Sequence, residues 1–133
     1  KKLPVKPVFL TAADELADIR LQGRPRADIE ADLISRGYTS VPANSGGKVW
    51  TKSMPDGKTA SVRIDPAMNR QPPLGYADEV VHAHKEIVPT ANVRAGNYGP
   101  PGTSGSVSLD EAGNVISSPN SNAGRRAAHI PIR

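Results

Sequence analysis

The spacing of polar and apolar positions changes part-way along the chain. Residues 1–10 carry Pro4 and Pro7, which exclude a helix and give an extended lead. Thr11 then stands as a helix N-cap, with Asp14 and Glu15 in the first turn. Leu16 and Ile19 supply a short apolar stripe and Gly23 a stop. Pro25 opens a second helix, in which Ile29, Leu33 and Ile34 form the apolar side and Gly37 the close. Both helices have acidic outer faces, which read as solvated surface. Beyond Gly37 the period drops to two. Residues 38–43 and 48–54 read as strands around a loop at 44–47, and Pro55-Asp56-Gly57-Lys58 is a turn signal. The strand 59–65 that follows puts Ala60, Val62 and Ile64 on one face and Ser61, Arg63 and Asp65 on the other. Residues 48–65 are therefore a predicted hairpin.

A Pro-rich loop is expected over 66–78, a strand over 79–88 and a long Gly/Pro/Ser/Asn loop over 89–106. Residues 106–109 and 114–117 read as a second hairpin, 118–126 as loop and 129–133 as a last strand. Helices first and strands afterwards predict an α+β fold with an antiparallel sheet. Residues 1–36 would form the extended segment and two helices, and 37–133 the sheet with the active site, in one compact domain.

Composition narrows this picture. A chain of 133 residues suits one domain. Val, Ile, Leu and Phe make up only 27 of them, which sets a small core, and 12 Gly with 13 Pro set abundant loops. The net charge of +4 is too small to enforce disorder and mildly favours an anionic partner. No run of about 18 apolar residues is present, so no membrane anchoring is expected. No apolar signal-peptide core follows Lys1 and Lys2. Without an initiator Met, the chain reads as a piece cut from something longer, or as a processed product. The absence of Cys excludes disulfides, Cys-based zinc sites and thiol nucleophiles together. No P-loop, dinucleotide fingerprint or nucleophile elbow occurs; Gly102-Thr103-Ser104-Gly105 misses the elbow spacing.

The candidate chemistry lies in the second half, with all three histidines. Period-2 alternation puts His82, His84 and Glu86 on one face of their strand, and Val81, Ala83, Lys85 and Ile87 on the other. Two imidazoles about 6–7 Å apart along a strand could straddle one phosphate, as base and acid. They could equally face water, or hold a metal with a third ligand such as His129 or Asp78. Arg63 is either a phosphate grip or one side of a cross-strand ion pair. Basic residues form no dense stripe, but Lys48, Lys52, Lys58, Arg125 and Arg126 could also grip phosphates. Trp50 could stack a base, or anchor the small core.

Six strings occur in order: Lys48-Val-Trp-Thr-Lys52, Pro55-Asp-Gly-Lys-Thr59, Val62-Arg-Ile-Asp-Pro66, Gly75-Tyr-Ala-Asp-Glu79, His82-Ala-His-Lys-Glu86 and His129-Ile-Pro-Ile132. Over roughly 37–133 this resembles the C-terminal toxin domains of bacterial polymorphic toxins, of the Rhs-repeat and contact-dependent inhibition types. The resemblance implies an effector cut from a large secreted carrier, which acts in the cytoplasm of a target bacterium and is blocked by a cognate immunity protein. It implies a barnase-like or colicin-ribonuclease-like fold and metal-independent cleavage of tRNA or another structured RNA, without cofactor. His82, His84 and His129 would share the acid and base roles, with Lys85 brought in only by a bulge; Arg63 and Lys52 would stabilise the phosphate charge. The acidic helices depart from the pattern of an RNA binder. Three other classes stay open: an NAD-using ADP-ribosyltransferase built on Arg63, Tyr76 or Tyr98, and Glu86; a zinc-dependent nuclease or deaminase; and a non-catalytic binding module.

Overall fold

The computed structural model describes residues 9–43, 46–67, 80–94, 105–118 and 121–133. The fold is α+β: helices α1 (Ala12–Ala17) and α2 (Arg26–Ser35) precede a six-stranded antiparallel sheet. Its strands are β1 (Thr39–Pro42), β2 (Lys48–Ser53), β3 (Lys58–Asp65), β4 (His82–Pro89), β5 (Val107–Leu109) and β6 (Ile130–Pro131). Two short helices interrupt them, α3 (Thr90–Arg94) after β4 and α4 (Asn122–Ala128) before β6. The strands run in the order β1-β2-β3-β4-β5, and β6 also pairs with β4. Strand β4 meets β3 along one edge. On its other edge β5 covers Lys85 to Ile87 and β6 covers His82 and Ala83. It is the central strand, and it is buried on both faces.

One face of the sheet closes on the helices. Ala60, Val62, Ile64, Ala83 and Leu109 reach zero exposure there, with Leu16, Ile29 and Leu33 from the helices. The 48–65 hairpin forms as the alternation requires, and Gly57 takes the positive φ of 79° that its turn demands. Trp50 is 5% exposed in this core, so it is the core anchor of the two readings and has no face free to stack a base.

Helix α1 is shorter than the stripe predicts. Thr11 caps it, its Oγ1 accepting from the Asp14 N–H, but the helix ends at Ala17 rather than near Gly23. Ile19 and Leu21 are instead buried two residues apart, the spacing of an extended segment. That segment is held by side chains: Glu111 Oε1 accepts from the Leu21 N–H (2.8 Å), and the Lys85 ammonium donates to the carbonyls of Ile19 and Glu111. Lys85 therefore leaves the histidine face and works as a buried tie between β4 and two loops. No bulge turns it round, since β4 pairs in regular register through Lys85↔Val62.

The acidic helix residues are not simply solvated. Glu15 is 1% exposed and takes Lys52 (3.5 Å) and Arg36 (3.9 Å); Arg36 also holds Asp18 and Asp32. Lys48 approaches Glu30 (4.0 Å) and lies over Trp50. Lys48 and Lys52 thus neutralise the helix layer and lie on the side of the sheet away from the histidines, so neither joins the candidate site. The second hairpin is reduced to β5 and a single bridge, Leu109↔Val115. The expected loop at 118–126 contains α4, capped by Ser121, whose Oγ accepts from the Gly124 N–H. Residues 68–78 of the first loop and 95–104 of the second lie outside the described residues, as do the lead at 1–8 and Asp78, Tyr76 and Tyr98; Thr90–Arg94 of the second loop is α3.

Replacing Lys85 by Met keeps the volume and removes the donor, stranding two inward-facing carbonyls. The expected cost is about 2–4 kcal/mol, from the penalty for unsatisfied buried groups. Urea unfolding of Lys85→Met checks it, and a loss below about 1 kcal/mol would reassign Lys85.

Candidate active site

The second face of the sheet is polar and nonetheless buried. Register sets its rows: Arg63 faces His84, Asp65 faces His82, and Ser61 faces Glu86, which in turn faces Ser108 of β5. His82 is 2% exposed, His84 4%, Glu86 1% and Asp65 8%. His129 joins them from the chain's other end. It is the C-cap of α4, one residue before β6, and β6 pairs with β4 at His82↔Pro131 and Ala83↔Ile130. The tail is held from its other side too, since the Gly23 N–H donates to the Pro131 carbonyl and the Arg26 N–H to the Arg133 carbonyl. Gly124 sets the approach of α4: a Cβ there would lie 2.0 Å from the Ser118 carbonyl oxygen.

All three imidazoles of the chain meet at this point. The ring centroids of His82 and His84 are 5.0 Å apart, those of His82 and His129 5.0 Å, and those of His84 and His129 4.6 Å. Asp65 Oδ2 lies 3.2 Å from His84 Nε2 and 3.8 Å from His82 Nε2. The tautomers follow from the neighbours. His82 Nδ1 is 2.8 Å from the Val80 carbonyl and His129 Nδ1 2.6 Å from the Arg125 carbonyl. A carbonyl only accepts, so each Nδ1 carries hydrogen, and in the neutral ring each Nε2 keeps its lone pair. His84 is held neutral: burial pushes it down to about 4, against the bond to Asp65, with Arg63 and His129 adding to the depression.

Arg63 is engaged by two carboxylates, Asp65 at 3.1 Å and Glu86 at 3.6 Å. This is the ion-pair reading of Arg63, although the Asp65 partner sits on its own strand. Glu86 is the group the sequence reading undervalues. Among the described residues neither of its carboxylate oxygens has a hydrogen-bond partner, nor do the hydroxyls of Ser61 and Ser108 on either side. Burial raises Glu86 to about 7, Arg63 pulling down and Asp65 adding to the rise. The signal was its alternation with His82 and His84; its burial was not readable, because a polar sheet face is expected to be wet.

Of the residues assigned to RNA cleavage or RNA binding from the sequence, the structure brings His82, His84, His129 and Arg63 together. Arg125 and Arg126 lie on the exposed side of α4, in the turn before His129. Arg126 and His129 share the lining of a hollow of about 360 Å³ with Gln22, Asp110 and Glu111. Lys48, Trp50, Lys52 and Lys85 belong to the opposite face. Among the described residues no helix is long and apolar enough to cross a membrane. No protein-family model, curated protein or solved structure matches the chain.

Glu86 gives a pH signature with a defined sign. Its folded value lies above the ordinary 4.5, so between 4.5 and about 7 the folded state holds a proton that the unfolded chain has lost. Its contribution to stability therefore falls as pH rises through that window. His84 acts oppositely below 6.5, so the comparison that isolates Glu86 is wild type against Glu86→Gln. Urea midpoints should show the variant gaining on wild type between pH 5 and pH 8. A gap independent of pH would contradict the buried, near-neutral carboxyl.

Proposed function

We propose that this chain is a toxin domain of the bacterial polymorphic type and that it cleaves RNA by general acid–base catalysis. The observation that carries the reading is the convergence of His82, His84 and His129 beside Asp65 and Arg63. Helices that precede an antiparallel sheet agree with the barnase-like and colicin-type layout implied by the sequence resemblance. The substrate would be tRNA or another structured RNA, and the partners a secreted carrier and a cognate immunity protein.

Cleavage of this kind starts at the ribose 2′-hydroxyl. A neutral imidazole takes its proton at Nε2, and the 2′-oxygen forms a bond to phosphorus. The bond from phosphorus to the 5′-oxygen breaks, and an imidazolium Nε2–H delivers the proton that the departing oxygen needs. The products are a 2′,3′-cyclic phosphate and a 5′-hydroxyl. His82 and His129 suit the two proton transfers, because each has its Nδ1 committed to a carbonyl, so that Nε2 is the nitrogen that exchanges protons. His84, neutral and bonded to Asp65, orients the pair. Arg63 keeps two carboxylates in place and supplies positive charge near the phosphorane. Arg125 and Arg126, exposed beside His129, are placed to meet the RNA backbone.

Each of His82→Ala and His129→Ala should lower cleavage roughly 10²–10⁴-fold, the contribution typical of one acid–base group. Total RNA from cells expressing wild type should show discrete fragments, absent with either variant. Intact RNA in cells that wild type still kills would contradict the reading, and dependence of killing on NAD would transfer the site to the ADP-ribosyltransferase class.

A further inference from the structure

The three histidines make a second use of the same site possible. Each contributes one ligand-capable nitrogen, and these atoms lie within 4.8 Å of one another. A tetrahedral zinc ion with bonds of about 2.0–2.1 Å needs them roughly 3.3 Å apart, so side-chain adjustments on the order of 1 Å close the shell. Two further features are those of a metal shell. His82 and His129 each donate Nδ1–H to a main-chain carbonyl, the outer contact that fixes a ligating imidazole and aims its other nitrogen at the ion. The positions are rigid as well: His82 and His84 stand two residues apart on the central strand, and His129 leads into a strand paired beside them. Asp65 Oδ2, close to Nε2 of His82 and of His84, offers a fourth oxygen ligand or the negative charge that offsets the ion.

We propose that His82, His84 and His129 bind one divalent ion of the imidazole-preferring class, zinc foremost, and that the bound ion silences RNA cleavage. An all-imidazole nitrogen set with one carboxylate selects Zn²⁺, Cu²⁺, Ni²⁺ or Co²⁺ over Mg²⁺ and Ca²⁺. The silencing half rests on the ribonuclease reading above. It follows because one lone pair on Nε2 cannot hold a metal and accept the 2′-hydroxyl proton at once. Loading would keep the domain inactive where zinc is abundant and release it where zinc is scarce or chelated.

The test uses the purified chain, freed of metal by chelator, with Co²⁺ as the spectroscopic probe and Zn²⁺ as the inhibitor. Wild type should bind one Co²⁺ per chain with visible ligand-field bands, and Zn²⁺ should displace it and raise the melting temperature. His129→Gln should lose the bands while keeping the wild-type far-ultraviolet spectrum; His129 is the most accessible of the three, so this variant perturbs folding least. In parallel, RNA cleavage in EDTA should fall at least 10-fold when one equivalent of free Zn²⁺ is supplied, and return with chelator. Co²⁺ binding no stronger in wild type than in His129→Gln would overturn the site, while cleavage in EDTA would leave the ribonuclease reading standing. Cleavage that needs Zn²⁺ would overturn the silencing and the metal-independent mechanism together. Co²⁺ binding with no cleavage under either condition would support the site and overturn the silencing along with the ribonuclease reading.

Discussion

The histidine cluster depends on the register in which β3 meets β4. With Arg63 opposite His84 and Asp65 opposite His82, one carboxylate oxygen comes within reach of two imidazoles, and one guanidinium reaches two carboxylates. A slip of a single residue would turn the entire polar row into the core and the core row outward. The register is secured by the opposite face, where Ala60, Val62, Ile64 and Ala83 have no exposure at all. The hydrophobic core is therefore what positions the site, through the backbone they share.

Strand β4 carries two polar systems that never meet. Toward the helices, Lys85 ties the extended segment at Ile19 and the loop at Glu111 to the sheet. Burial pulls its ammonium below the ordinary value, with Glu111 and Asp110 pulling back. Toward the other side, His82, His84 and Glu86 are packed with Arg63 and Asp65, and burial, more than any single neighbour, displaces the proton affinities of His84 and Glu86. The basic residues divide in the same way. Lys48, Lys52 and Arg36 serve the acidic helices, whereas Arg63 lies on the histidine side and Arg125 and Arg126 lie on the helix that leads into His129. A net charge of +4 thus understates how the cations are partitioned.

Much of the sheet was legible because its signals are local. The alternation of Ala60, Val62 and Ile64 and the turn at Gly57 name the β2–β3 hairpin without tertiary information. Helix α4 was not legible, since its seven residues bury only Gly124 and Ala128 and show no apolar stripe. The end of α1 was missed because Ile19 and Leu21 are drawn into extended backbone by partners 66 and 90 residues away, Lys85 and Glu111. For the site, the shared face of His82, His84 and Glu86 followed from period two. The arrival of His129 did not, because it rests on β6 pairing with β4 across more than forty residues of sequence. Nor did the burial of this face, which displaces the proton affinities of His84 and Glu86 and leaves the Glu86 oxygens without a hydrogen-bond partner among the described residues.

The proton transfers proposed for this cluster during phosphodiester cleavage are tested most directly by the chemistry of the cut ends. Purified domain, incubated with bulk tRNA in the presence of EDTA, should yield fragments ending in 2′,3′-cyclic phosphate, with 5′-hydroxyl groups on their partners. A 2′-deoxy substitution at the cleaved nucleotide should abolish the cut. Intact tRNA, or fragments bearing 5′-phosphates and formed only with added metal, would contradict the account.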